Sequence, residues 1–195
     1  MKRVMDIGAS ALLLLILAFP LLAIALLIIV KDGSPAVFKQ QRIGRQGRPF
    51  SILKFRTMKV SAPGEQAVTS GDADPRITPL GMHLRRHRMD ELPQLFNVFK
   101  GDMSFVGPRP EVPEYVNLGS PLWQKALSVR PGITGPDALA FRDEGKALSQ
   151  AKNADAHYRE HILPSKLAMQ AEYAEQRSLA GDLMVLFRTL GVFRG

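Results

Sequence analysis

The 195-residue sequence predicts an α-rich α/β protein in two parts. Residues 1–30 form a re-entrant helix-break-helix membrane anchor, and residues 31–195 form a compact cytoplasmic domain with a small β-hairpin and membrane-associated amphipathic helices. Three observations carry this expectation. Residues 7–30 carry no charge but contain Pro20; a Gly/Pro-rich turn separates two β-prone runs between 35 and 55; and apolar residues recur at helical spacing from Leu80 onward.

The uncharged run is longer than the roughly 18 residues that mark a membrane helix and longer than the roughly 7–15 apolar residues of a signal peptide. Basic residues flank it on both sides, Lys2 and Arg3 before it and Lys31, Lys39, Arg42, Arg45 and Arg48 after it. Positive residues favour the cytoplasmic side, so a chain basic at both ends resists crossing. Proline removes a helical hydrogen bond and kinks a helix, which places a bend at Phe19-Pro20 and returns the chain to the face it entered from. An ordinary kinked span remains open on these grounds. In both cases the later residues face the cytoplasm.

Pro35–Phe38 and Phe50–Phe55 read as strands around the turn Gly44–Pro49. Lys54, Arg56 and Met58 alternate, so two cations share one face, able to hold a phosphate or simply to solvate an edge. Ser61–Pro79 reads as a loop. Asp72 and Asp74 resemble the start of a calcium loop that lacks its glycine and distal glutamate. Leu80–Phe99 reads as a helix broken near Pro93.

The chain is organised around Asp90–Pro110, DELPQLFNVFKGDMSFVGPRP. Two adjacent carboxylates, Asp90 and Glu91, repel unless a cation shares them. Mg²⁺, held by carboxylates and substrate phosphates, would resolve that conflict, and Arg85, Arg86, Arg88 and Arg109 could clamp phosphate oxygens. A helix start with acidic residues facing its dipole is the alternative. Farther on, a short helix around Trp123–Val129 leads to Arg130-Pro131-Gly132-Ile133-Thr134-Gly135, a turn able to cradle an anion or merely to reverse the chain. From about Ala147 the pattern is helical, interrupted at Pro164 and Gly181. The amphipathic stretch Leu183–Phe193, with Arg188 and Arg194, suits a lipid surface or the core.

A net charge of +8 calls for an anionic partner, without choosing among nucleic acid, membrane and phosphorylated substrate. Cysteine is absent, which excludes disulfides and cysteine chemistry. His157–His161 has the H-x-x-E-H spelling of a zinc peptidase but no suitable third ligand follows it, so an exposed helix face is expected. His83 and His87 sit among arginines that repel a cation.

The central block, Lys54-Phe55-Arg56-Thr57-Met58, Asp74-Pro75-Arg76-Ile77-Thr78, Arg130–Gly135 and the proline-containing apolar hairpin together resemble the bacterial sugar transferases. These are small monotopic phosphoglycosyl transferases, and the likeness runs over nearly the whole chain. It implies that Asp90 is a nucleophile, Glu91 its partner and Mg²⁺ the cofactor, with Asp90 and Glu91 as metal ligands. It places Arg85 and Arg109 near the site and Arg130 in a motif linked to substrate binding, beside Lys54, Arg56 and Thr134 as the phosphate-binding candidates of the strand and the turn. The implied reaction passes a sugar-1-phosphate from a UDP-sugar, through an aspartyl phosphosugar, to undecaprenyl phosphate. UMP is released, at the cytoplasmic face of a bacterial inner membrane, in the first membrane step of glycoconjugate assembly. Expected partners are donor, acceptor and membrane lipids, with the oligomeric state left open between a monomer and a homodimer; nucleic acid is not expected. Two stretches depart from the family pattern: Phe19 stands where serine often precedes the hairpin proline, and Pro136-Asp137-Ala138 replaces an apolar continuation. With no large N-terminal extension, the minimal form of the family is expected.

Overall fold

In the computed structural model the described residues are 1–59 and 74–191. Asp72, Phe193 and Arg194, which figure in the expectations above, lie outside them. The chain starts with two helices, α1 (Lys2–Ile16) and α2 (Ala18–Asp32), bent by 62° at Leu17. Among the described residues no single helix is long and apolar enough to cross a membrane; this bent pair passes that test only jointly. The break falls earlier than the Phe19-Pro20 expected. A proline ring collides with the carbonyl four residues back, which for Pro20 is that of Ile16, so the regular helix ends there and restarts with Pro20 in its first turn. The apolar side chains Leu12, Leu15, Ile16, Phe19, Leu22, Leu26 and Val30 are exposed along the two helices.

Both ends of the pair are fastened to the rest of the protein. Lys2 Nζ donates to the Val106 carbonyl (2.8 Å), Tyr173 Oη (2.9 Å) and Asp182 Oδ2 (2.6 Å). Arg3 donates to the carbonyls of Val98 and Phe99, and buried Asp6 accepts from Ser104 Oγ and the Phe105 N–H. At the far end, Arg56 NH2 donates to the carbonyls of Asp32 and Gly33, and Thr78 Oγ1 to Asp32 Oδ2 at 2.9 Å.

The hairpin is present as β1 (Val37–Ile43) and β2 (Pro49–Phe55), antiparallel from Val37 opposite Phe55 to Ile43 opposite Pro49. The first strand begins later and runs farther than expected. Asn97 holds the outer edge of β2: its Oδ1 accepts from the Leu53 N–H and its Nδ2 donates to the Ser51 carbonyl. The expected helix over Leu80–Phe99 is two helices, α3 (Pro79–Arg86) and α4 (Gln94–Lys100), with a tight 3₁₀ turn at Met89–Glu91 between them. The break starts at Arg88, in the left-handed region at φ 54°, rather than at Pro93. Thr78 caps α3 by accepting from the Gly81 N–H, with Pro79 at the first helical position.

A parallel pair was not expected: β3 (Ser104–Val106) lies beside β4 (Gly132–Thr134). Close contact between the two Pro/Gly turns makes it. A Cβ on Gly132 would sit 2.1 Å from the Gly107 nitrogen, so only glycine fits. The helix near Trp123 is α5 (Pro121–Ala126), shorter than expected. Beyond β4 come α6 (Pro136–Ala140), α7 (Glu144–Gln150), α8 (Ala154–His157), α9 (Leu163–Gln176) and α10 (Leu179–Thr189). A π-turn over Tyr158–Ile162 joins α8 to α9. Pro164 accounts for it, since its ring displaces the carbonyl of Glu160. Gly181 does not interrupt; the break falls at Arg177-Ser178, where Ser178 caps α10. Several small apolar clusters share the core, and one, Ile24, Ile28, Phe55 and Leu84 with Met89 and Leu92 at its margin, binds α2 to the turn that carries the carboxylates.

Candidate active site

Asp90 and Glu91 share the 3₁₀ turn between α3 and α4 but meet different surroundings. Glu91 is buried and its Oε1 accepts from Lys54 Nζ at 2.9 Å and from Arg109 NH2 at 2.8 Å. Burial alone would raise its pKa, but Arg109 and Lys54 together overcome this and hold the carboxyl well below the usual range. Arg109 is raised in turn, chiefly by Glu91. Burial lowers Lys54, with Glu91 opposing. Asp90 is half-buried and makes no hydrogen bond or ion pair with a described residue. Its pKa is raised, by burial first and by Glu91 second, with Lys54, Arg85 and Arg109 pulling the other way.

Those cations come from three elements. Lys54 is carried by β2, while Arg109 stands in the Pro-Arg-Pro turn that follows β3. Arg85 lies on the last turn of α3, where Thr57 Oγ1 accepts from its Nε at 2.9 Å and leaves the two terminal nitrogens without described partners. Lys54, Arg85 and Arg109 thus surround the acidic pair, as their residue types suggested. The alternation of Lys54 and Arg56 does not survive: β2 ends at Phe55 and Arg56 turns away to the end of α2.

Arg130 and Thr134 also lie elsewhere. Arg130 Nε donates to the Gly101 carbonyl at the end of α4, and Thr134 Oγ1 is 2.8 Å from Thr189 Oγ1 of α10. The Arg130–Gly135 turn does pack against the Pro-Arg-Pro turn. Its Gly132 N–H is not free for an anion, because it donates to the Pro108 carbonyl, and its Thr134 carbonyl accepts from Gly107 N.

Several residues close to the site escaped the sequence reading. Asp137 Oδ2 accepts from the Arg109 N–H at 3.1 Å and from Gln170 Nε2 at 2.6 Å, while Gln170 also donates to the Arg109 carbonyl at 3.2 Å. The backbone of Arg109 is therefore gripped on both sides. Beside it, Lys166 Nζ donates to Glu111 (3.2 Å), Glu144 (3.0 Å) and Tyr158 Oη (3.0 Å), and Tyr158 donates to Glu111 at 2.6 Å. Burial would raise Glu111, but Lys166 and the Tyr158 hydroxyl hold its pKa below the usual value. The available signal was Lys166 and Gln170 falling into the apolar row Leu163, Leu167 and Ala171 of α9, where a polar residue needs a buried partner.

A divalent cation can be tested against this donor set. Asp90 offers two oxygens and Glu91 one, Oε2, all hard donors; among the described residues no group of three metal-binding side chains occurs. Two adjacent carboxylates completed by ligand phosphates suit Mg²⁺. The rings of His157 and His161 lie 4.9 Å apart and tilted by 58°, with His161 exposed, and no metal cluster of described residues includes them. Asp74 is paired with Arg76.

The bacterial sugar transferase family model matches residues 1–194. A Bacillus subtilis protein provisionally named an undecaprenyl-phosphate N-acetylgalactosaminyl 1-phosphate transferase is 44% identical over 152 residues, covering 75% of this chain and 80% of that protein. The UDP-glucose:undecaprenyl-phosphate glucose-1-phosphate transferase of Caulobacter vibrioides is 36% identical over 97% of this chain and 68% of its own. The Escherichia coli protein of the same name is 33% identical over the whole chain, which spans 40% of it. With the family matched from end to end and the acidic pair ringed by cations, the chain is a transferase that belongs to the bacterial sugar transferase family.

Proposed function

We propose that this protein transfers a sugar-1-phosphate from a UDP-sugar to undecaprenyl phosphate in two steps through Asp90. The observation that carries the reading is the division of labour within one dipeptide. Glu91 is buried and bound by two cations, whereas Asp90 is half-buried and has no described partner. A carboxylate free of hydrogen bonds is the better nucleophile.

In the first step an Asp90 carboxylate oxygen attacks the sugar-bearing phosphorus. The bond to the bridging oxygen breaks, its electron pair leaves with UMP, and Asp90 carries the phosphosugar. In the second, an oxygen of undecaprenyl phosphate attacks the same phosphorus and the aspartyl oxygen leaves, restoring the carboxylate and giving a diphosphate-linked sugar. Lys54 and Arg109 fix Glu91, and the free end of Arg85 is available to phosphate oxygens, so charge is neutralised by groups already in place. Asp90 and the second oxygen of Glu91 are the residues that would hold Mg²⁺, which when bound supplies charge neutralisation to the phosphates.

The anchor fits this role if it enters and leaves the same leaflet at the cytoplasmic face of the bacterial plasma membrane. Lys2 and Arg3 at one end and Asp32 at the other all bond to the same folded domain. Each arm is about 22 Å long. A symmetric V bent by 62° reaches only about 11 Å deep, short of the ~30 Å hydrocarbon core. Such an anchor brings a water-soluble donor and a lipid acceptor to one surface. The names of the relatives include glucose, galactose and N-acetylgalactosamine, so the donor is chosen by experiment.

The test is UMP release by purified protein with Mg²⁺ and a panel of UDP-sugars. One donor should give a burst of about one UMP per enzyme without acceptor, a mass increase of one phosphosugar, and turnover when undecaprenyl phosphate is added. UMP released only when acceptor is present, with no mass increase, would overturn the two-step scheme.

A further inference from the structure

Arg56 has left the acidic pair for a different setting. It is 6% exposed, and its Nε and NH1 are buried without a hydrogen-bond partner. NH2 alone is engaged, by the carbonyls of Asp32 and Gly33. Both nitrogens are covered by protein, so Arg56 offers a neighbouring ligand its charge rather than a free N–H. Arg56 lines a cavity of about 350 Å³ at the foot of α2, together with Lys31, Asp32, Ser34, Lys59 and Thr78. That volume admits a phosphate with part of its ester.

The charges of this cavity select an anion. Among the described residues that line it, three cations, Lys31, Arg56 and Lys59, face one carboxylate, Asp32, which is already engaged by the Thr78 hydroxyl. Lys31 and Lys59 are exposed and ion-paired with no described residue. The cavity also lies where the apolar surface of α2 ends, directly after exposed Ile29 and Val30. A ligand there would have its phosphate among the cations and its chains along that surface.

The geometry points to a binding site, separate from the Asp90 pair, for the phosphate of an anionic membrane phospholipid. The assignment rests on the reading of α1 and α2 as a membrane anchor. A phospholipid bound here would tie α2 to the β2–α3 connection, whose Thr57 holds Arg85, and so link lipid occupancy to the active site.

The full chain is tested on vesicles of phosphatidylcholine with and without phosphatidylglycerol, by flotation, and then by native mass spectrometry from mixed-lipid nanodiscs. The expected result is flotation on both, with phosphatidylglycerol selectively retained. Lys31→Gln/Lys59→Gln should lose that retention by about tenfold or more, while the charge-matched Lys146→Gln/Lys152→Gln should keep it. These four lysines are exposed, so the variants fold. Flotation without selective retention, or equal loss in the control, would overturn the site and leave the anchor standing. Stabilisation by inorganic phosphate that depends on Lys31 and Lys59, with no phosphatidylglycerol retained, would overturn the lipid as its source. Failure to float on either vesicle would overturn the anchor reading and the site together.

Discussion

Arg109 meets Glu91 with NH2 2.8 Å from Oε1, and Lys54 shares the same oxygen at 2.9 Å. The neighbouring Asp90 accepts nothing from a described residue. Two carboxylates adjacent in sequence thus have pKa values pushed apart, Glu91 down and Asp90 up.

The divergence predicts opposite stability effects. A carboxyl with a raised native pKa lowers stability as pH climbs from its unfolded value through the native one, because the native state favours the protonated form. Asp90→Asn removes that penalty. It is expected to abolish turnover while remaining at least as stable as the parent at pH 7 in urea melts.

Glu91→Gln should do the reverse. A depressed native pKa contributes stability above the unfolded value, lost as pH falls through the native one; the variant forfeits it and leaves Lys54 and Arg109 unpaired. The expected cost is about 2 kcal/mol, below the ~3–5 of a fully buried pair, because Lys54 and Arg109 are 21% and 33% exposed. Asp90 loses a repulsive neighbour and gains two free cations. The acid limb of kcat/KM should therefore move to lower pH, and a limb that stays or rises would contradict the assignment.

Asp137→Ala separates positioning from chemistry. It removes the acceptor for the Arg109 N–H and for Gln170, costing about 2 kcal/mol. If Asp137 positions Arg109, that guanidinium drifts, its lowering effect on Asp90 weakens, and the acid limb moves to higher pH. A purely structural role would lower stability and leave the limb in place.

How much of this was legible follows the range of the interactions. Asp90, Glu91 and the proline-broken apolar run announce themselves through charge adjacency and composition, and the hairpin through its turn residues. Arg56 was misplaced because alternation holds only while a strand lasts, and β2 stops one residue earlier. The β3–β4 pair and the Asp137–Gln170 grip join positions 28 to 33 residues apart, each three-residue strand existing only because the other is there. Local pattern shows at most that Gln170 needs a buried partner, not which residue supplies it. The bend at Leu17 was misplaced by three residues for a nearer reason, that proline acts on the carbonyl four positions before it.

That last point makes the anchor a competition whose outcome can be predicted. Pro20→Ala removes a penalty of about 3 kcal/mol against a continuous helix. A straight Lys2–Asp32 helix would be about 46 Å long, enough to span. Straightening, however, must break the bonds of Lys2 to Asp182, Tyr173 and Val106 and of Arg3 to Val98 and Phe99, each charge-assisted and worth about 1.5–3 kcal/mol. The tethers outweigh the proline, so Pro20→Ala alone should keep the N-terminus on the side of the catalytic domain. Adding Lys2→Ala, Arg3→Ala and Asp6→Ala removes the side-chain tethers of α1 and the basic flank that resists crossing, and the N-terminus should then appear on the opposite face. The chain has no cysteine, so Val4→Cys, 74% exposed, gives a unique target for an impermeant maleimide in oriented vesicles. Crossing by Pro20→Ala alone would show that the break, not the docking of Lys2 and Arg3, holds the hairpin in place.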